Sequence, residues 1–532
     1  MPLCRGDFVG AGIVALLALA AYVPTLAPGL LRADSGEFQT LAVTLGYTHP
    51  TGYPVYLLLA KAATFLPVGD VPYRVNLLSA LMAAAAVAVM VLLGKLLTGR
   101  RWVALAGGLA LAFSPTFWSQ AIIAEVYTMA LLFMLLVLLS LGLWQATGGR
   151  RWLFAGACLG GASIGVHITV SFMAPAAVLF VLLHRRRIAN TATAVAGAAA
   201  GVAVTLAAFA LADPPDNPCS YFNTVIDPCR SEWNLAPEDT DGFLERVYLS
   251  LSAPQFQSLM SSQTLGRTWE KVIQYVQNVP REIPPLWLPA AAGGLFWLGR
   301  RNGKMTALLL LASAAHLLYY LQLDGVVYPM YIPTYAVIAL FGVTGLAWAE
   351  DACRALAIRY GTRPHSPAAF DRICAAVAIA AVGWPMLFAD AWDREGRRAF
   401  WLPPEERDWP GVGYSEEYQR ELREVLSKLE DDAIVFTGWC HLYPYYYVAH
   451  LEQGRTDMRF FLDYHDGARR PVLADSAVEL VKQTKRETPE RQIYFTHEPR
   501  QIAALYEFEL AHEGVERLYR VGKPSVADGA TE

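Results

Sequence analysis

Ten apolar runs follow one another between the N-terminus and Ala389, and a chain patterned this way places most of its length in a bilayer. A crossing takes about 20 predominantly apolar residues, because the hydrocarbon core is about 30 Å thick and a helix rises about 1.5 Å per residue. The runs are Phe8–Leu26, Leu77–Leu97, Val103–Phe117, Ile122–Trp144, Trp152–Leu183, Ala192–Ala212, Leu286–Leu298, Ala307–Leu321, Tyr331–Trp348 and Ile373–Ala389. Val103–Trp144 exceeds one helix and breaks at Ser114-Pro115, which predicts a hairpin. Trp152–Leu183 also exceeds one span. Gly160, Gly161, Gly165, His167 and Pro175 interrupt it, so it reads as two short helices meeting near His167. The expectation is eleven crossings. The first run has no small-residue cleavage site before a polar start, and reads as an uncleaved helix.

Basic residues mark one end of alternate runs. Arg5 precedes the first; Lys95, Arg100 and Arg101 follow the second; Arg150 and Arg151 follow the fourth. Arg185, Arg186 and Arg187 follow the sixth crossing, Arg300, Arg301 and Lys304 the eighth, and Arg354, Arg359 and Arg363 the tenth. Lys and Arg are retained on the cytoplasmic side, so the N-terminus is expected inside and, with an odd number of crossings, the C-terminal part outside. Residues 30–76, 114–121, the His167 turn, 213–285, 323–329 and everything after Ala389 then face outward. Ala- and Arg-rich usage points to a bacterial inner membrane, with the periplasm as the outer side.

Composition agrees. Only 17% of residues are charged and mean hydropathy is +0.31, which excludes an ordinary cytosolic enzyme. A net charge of −4 gives no basic field for nucleic acid. About half of the charged residues lie after Ala389, in about a quarter of the length. The fold class is therefore mainly α and polytopic, residues 1–389, followed by a small soluble α/β domain, residues 390–532. In that domain Ser415–Glu430, Tyr443–Leu451, Ala474–Lys485 and Gln501–Phe508 read as helices, and Ala433–Thr437, Met458–Leu462 and Gln492–Thr496 as strands of a small parallel layer. Its aromatic run (Trp439, Tyr443, Tyr445, Tyr446, Tyr447) either stacks on a sugar or acceptor or packs inside the protein. Seven cysteines make no disulfide scaffold; Cys219 and Cys229 form one bridge in an oxidising compartment or remain free thiols.

The richest polar segment is the first outer loop, which reads Arg32-Ala33-Asp34-Ser35-Gly36-Glu37-Phe38 and then Gly46-Tyr47-Thr48-His49-Pro50-Thr51-Gly52-Tyr53-Pro54. With a helix over 35–44, Asp34 is its cap or sits one turn from Glu37, and both carboxylates face one way. Glu37–Leu45 and Val55–Leu66 are too short to span and are expected along the interface. Carboxylates beside a membrane are costly unless solvated or used. Glu125, one turn inside the fourth run beside Tyr127, is a functional acid or a snorkelling one. His167 is a ligand-facing or a core imidazole, and Asp324 with Tyr328 forms either a site or a plain turn. Arg32, Lys61 and Arg74 are the outer cations, suited to a phosphate or simply to lipid head groups. No phosphate-cradling loop, nucleophile elbow or zinc-helix motif is present.

The pattern DSGEF…LGYTHPTGYPVY over Asp34–Tyr56 resembles the signature of the transmembrane protein 260-like family (domain of unknown function 2723). The resemblance continues through RVNLLSAL (Arg74–Leu81), AEVYTM (Ala124–Met129), the Gly-rich helix before His167 and AIVFTG…YPYYY (Ala433–Tyr447). Thr51 departs from it, standing where a second proline usually follows the histidine. The resemblance implies a GT-C glycosyltransferase with protein O-mannosyltransferase activity, inverting a sugar taken from a polyprenyl phosphate, and an acid of the first outer loop at the active site. That acid is Asp34, with Glu37 second. His49, Tyr53, Lys61, Arg74, Glu125, His167, Asp324 and Tyr328 are the expected substrate contacts. The expected partners are a lipid-linked sugar donor, a protein or glycan hydroxyl acceptor and the bilayer. No cofactor and no metal is demanded, since Arg or Lys can balance a lipid monophosphate. Two other classes compete: a transporter or flippase, which would need polar groups on both sides of the midplane, and a non-catalytic anchor for the C-terminal domain.

Overall fold

The computed structural model describes residues 3–184, 188–214, 217–254, 256–257, 264–285, 287–323, 328–360, 416–463, 473–514 and 517–525. The chain is mostly helical and separates into two compact units. One comprises Met1–Leu26, Asn76–Ala208 and Gln257–Arg398; the other comprises Ala27–Val75, Phe209–Phe256 and Ala399–Glu532.

The first unit carries the long apolar helices. Arg5–Tyr22 with its 3₁₀ extension, Val71–Thr98, Tyr127–Thr147, Ile188–Leu211, Gly303–Gln322 and Ile332–Arg359 supply six stretches long and apolar enough to cross a membrane. Arg101–Ala112 and Pro115–Ala121 make a seventh if counted as one span bent by 68°. Those counts stand against the eleven expected. Arg150–Ala162, Ala174–His184 and Trp287–Arg301 form where predicted, but have only 13, 11 and 15 residues. The expected span Ile373–Ala389 lies outside the described residues. The break near His167 is as predicted: Arg150–Ala162 ends, two short 3₁₀ turns intervene, and Ala174–His184 begins.

Small residues let these helices approach. A Cβ on Gly345 would sit 1.7 Å from the Ala290 carbonyl oxygen, so Trp287–Arg301 and Ile332–Arg359 touch backbone to backbone. The Ser114-Pro115 break is closed by buried Glu282, which accepts the Ser114 hydroxyl at 2.8 Å, the Thr116 amide at 2.9 Å and the Thr116 hydroxyl. These donors open the helix Pro115–Ala121, whose first amides have no intrahelical acceptor.

The second unit is assembled from three separated stretches of chain. Its sheet contains β1 (Ile434–Thr437), β2 (Arg459–Leu462), β3 (Ile493–Phe495), β4 (Tyr506–His512) and β5 (Leu518–Pro524), in the order β2-β1-β3-β5-β4. The three predicted strands pair in parallel, with Phe436 beside Phe461 and Phe495. The expected helix over 501–508 is a single turn, Arg500–Ala503; Tyr506–Phe508 begin β4, which pairs antiparallel with β5. That hairpin makes the layer mixed rather than parallel. Its alternating exposure and charge disguised it as helix and loop.

Ala33–Thr44 is not an interfacial helix, as its sequence suggested. Ser35 through Ala42 are all buried, packed against Trp439–Tyr446. Gly36 permits the approach: a Cβ there would meet the Leu31 carbonyl oxygen at 2.6 Å and Pro444 Cδ at 3.0 Å. Cys219 and Cys229 are free, buried thiols, each pushed up by burial to about 12.

Candidate active site

The second unit brings Asp34, Glu37, His49 and Tyr53 together. Asp34 lies in the first turn of Ala33–Thr44 and Glu37 one turn further, so both carboxylates reach the same loop. The loop returns through His49 to Tyr53, which precedes the helix Pro54–Ala63. Ala33, Leu45 and Tyr53 have φ of 52°, 62° and 41°, a region that costs a side-chain-bearing residue of order 1–3 kcal/mol. Packing around the loop holds these conformations.

Glu37 is fully buried and grips His49 twice: Oε1 accepts the His49 amide at 2.7 Å, and Oε2 lies 2.5 Å from Nδ1. Burial pushes the Glu37 carboxyl above the usual carboxylate range, and the imidazole beside it pulls it back. The Tyr53 hydroxyl lies 3.2 Å from His49 Nε2 and donates to the Pro50 carbonyl at 2.9 Å.

Asp34 differs from Glu37 in every respect that bears on chemistry. Its side chain is 41% exposed. Oδ1 accepts Trp439 Nε1–H at 2.8 Å, and Oδ2 stands 3.9 Å from His49 Nε2, beyond a direct hydrogen bond. One oxygen is thus anchored and the other is directed beside an imidazole. The Trp439 ring also meets His49 edge-on at 5.7 Å, and Tyr221 and Tyr443 flank it at 6.0 and 5.6 Å. Trp439 is the residue that sequence reading missed as a partner of Asp34. Its aromatic run was the signal, but nothing local linked it to a carboxylate 405 positions away.

The outer cations are differently employed. Lys61 donates to the Val43 carbonyl, at the C-terminal end of Ala33–Thr44, where an ammonium offsets the negative end of the helix. Arg74 spreads Nε, Nη1 and Nη2 over the carbonyls of Val68, Thr64 and Gly69 at 2.7–2.8 Å, closing the turn after Pro54–Ala63. Arg32 lies over the Tyr418 ring, 4.6 Å from its centroid.

Glu125 and His167 belong to the first unit. Glu125 is buried in the segment before Tyr127–Thr147, not inside that helix; its amide donates to Ser79 Oγ and its Oε2 accepts the Val126 amide, each at 3.2 Å. His167 caps a 3₁₀ turn through Thr169 and faces Tyr127 at 5.6 Å. Tyr328 opens another 3₁₀ turn, and Asp324 lies outside the described residues. Among the described residues no group of three or more His, Cys, Asp or Glu side chains is placed to hold a metal.

Comparison with known proteins falls on the same segment. Residues 34–191 match the family model for the protein O-mannosyl-transferase TMEM260 N-terminal domain. The match begins at Asp34. Over 156 residues the chain is 37% identical to protein O-mannosyl-transferase TMEM260 of Mus musculus, a stretch covering 28% of this chain and 22% of that protein. The chain thus spans about a fifth of that relative's length, and the TMEM260-like region excludes the segment carrying Trp439. Among solved structures, the Archaeoglobus fulgidus oligosaccharyltransferase in complex with Zn and sulfate superposes with a TM-score of 0.54 at 13% identity, covering 91% of this chain and 68% of that one. ArnT from Cupriavidus metallidurans bound to undecaprenyl phosphate gives 0.50 at 13% identity, with 98% of both chains covered. The fold is that of GT-C glycosyltransferases, in an integral membrane protein.

Proposed function

We propose that the chain is an inverting membrane glycosyltransferase, moving a mannose-like hexose from a polyprenyl-phosphate donor to a hydroxyl of a protein Ser or Thr. The reading places the reaction on the non-cytoplasmic side of a bacterial inner membrane, with eleven crossings and the C-terminal part outside. What carries it is the contrast between two neighbouring acids: Glu37 is sealed and spent on His49, while Asp34 is exposed with one oxygen fixed by Trp439.

In this mechanism Asp34 Oδ2 takes the acceptor proton as the hydroxyl oxygen attacks the anomeric carbon. The bond to phosphate breaks on the opposite face, and the polyprenyl phosphate leaves. An isoprenoid donor confines the sugar to the membrane surface, so no nucleotide site is needed. His49, held by Glu37 and Tyr53, orients the acceptor beside Asp34. Arg32, two residues before Asp34 in the chain, is the cation that steadies the departing phosphate on this reading. No divalent metal is required on this reading.

The deciding experiment is Asp34→Asn in purified protein supplied with polyprenyl-phosphate sugars and a Ser/Thr-rich peptide. Glycopeptide formation is expected to fall by about 10²–10⁴-fold with unchanged elution from gel filtration. A wild-type rate in the variant would remove Asp34 from the chemistry.

A further inference from the structure

At the basic end of the first unit, several helix ends surround a polar cavity of about 460 Å³ that the proposed transferase does not use. The C-terminus of Tyr127–Thr147 contributes Trp144 and Gln145, Arg150–Ala162 contributes Arg150, Ala174–His184 contributes His184, and Ile188–Leu211 contributes Asn190. The volume falls within the range of about 300–1,000 Å³ usual for ligand pockets.

One wall is rigid. His184 Nδ1 donates to the Phe180 carbonyl at 2.8 Å, which leaves Nε2 to accept from Gln145 Nε2 at 2.7 Å. Gln145 is clamped to Asn302 by two reciprocal amide bonds of 2.8 and 2.9 Å, and Trp144 packs on His184. The other wall is unspent. Asn190 is only 7% exposed, lines the cavity, and has no hydrogen-bond partner among the described residues. A side-chain amide that lines the cavity offers a carbonyl acceptor and an N–H donor pair to whatever occupies it. Among the described residues Arg150, exposed at the rim, has no acidic partner, and no carboxylate lines the space.

A guanidinium and an amide at a cavity with no acid among its described lining residues select an anion with several acceptor oxygens. The surroundings select its carrier. Val178, Leu179, Leu182 and Leu183, on the helix that ends at His184, are 41–57% exposed and would lie among acyl chains. We propose that this cavity is a binding site for the phosphodiester head group of an anionic phospholipid, with Asn190 and Arg150 on the phosphate oxygens. This site is independent of the transfer reaction and of the side assigned to it.

Native mass spectrometry of the full chain in detergent, titrated with phosphatidylglycerol, phosphatidylcholine or inorganic phosphate, tests it. Phosphatidylglycerol should be retained at least about tenfold better than phosphatidylcholine, and millimolar inorganic phosphate should not displace it. Asn190→Leu should weaken retention about tenfold and Arg150→Gln about fivefold, with Asp34-dependent transfer unchanged. Equal retention of both lipids, displacement by inorganic phosphate, or unaltered retention in folded variants would each overturn the site. The lipid discrimination and phosphate competition use wild-type protein, and decide the matter even if a variant fails to fold.

Discussion

In the unit of long apolar helices, a buried acid is tied off: Glu282 accepts three donors and joins a helix start to a distant segment. In the unit built around the C-terminal sheet, Glu37 is tied off in the same manner on His49, but Asp34, one turn away, keeps 41% exposure and a single anchoring donor. The difference lies in what surrounds each carboxylate. Where each oxygen is met by a protein donor, a carboxylate is a structural joint. Where one oxygen is left facing a ring 3.9 Å away, it can accept a proton from something else.

The comparison breaks most sharply at Glu37. Glu37→Ala removes one member of a buried pair and leaves the His49 amide without its acceptor, so the second unit should lose about 3–5 kcal/mol. Hydrogen exchange should accelerate in peptides covering Ala33–Thr44 and Trp439–Tyr446 and stay unchanged across Tyr127–Thr147. The reciprocal change, Glu282→Gln, should cost about 2 kcal/mol and loosen Pro115–Ala121 alone, with transfer activity retained. Trp439→Phe keeps the ring and deletes the Nε1–H donor to Asp34. A charged hydrogen bond of this kind is worth about 1.5–3 kcal/mol, so kcat should fall about tenfold or more while KM for the donor holds. The smallest effect concerns the buried thiols. Exposed Cys4, Cys353 and Cys440 should react with maleimide at pH 8, whereas Cys219 and Cys229, pushed up to about 12, should resist until unfolding, with labelling that keeps rising beyond pH 9.

Hydropathy made the first unit legible, because lipid demands a continuous apolar run whatever its neighbours do. The His167 break and the Ser114-Pro115 bend were visible as glycine and proline punctuation. The count of crossings was less so, since Arg150–Ala162, Ala174–His184 and Trp287–Arg301 are apolar yet short. In the second unit Asp34, Glu37, His49 and Tyr53 could be read as neighbours because one loop holds them. The employment of Lys61 and Arg74 could not, because their acceptors are backbone carbonyls that every sequence possesses. Nor could the link to Trp439, which depends on Gly36 admitting a helix from the far end of the chain.

That last link sets a timetable for biosynthesis. Asp34 leaves the ribosome some 405 residues before the indole that anchors it, about 20–80 s at ordinary elongation rates of roughly 5–20 residues per second. During that interval the nascent polypeptide holds its acid without its indole anchor. A protease that clipped the tail afterwards would return the protein to the same unfinished condition, leaving every earlier segment intact.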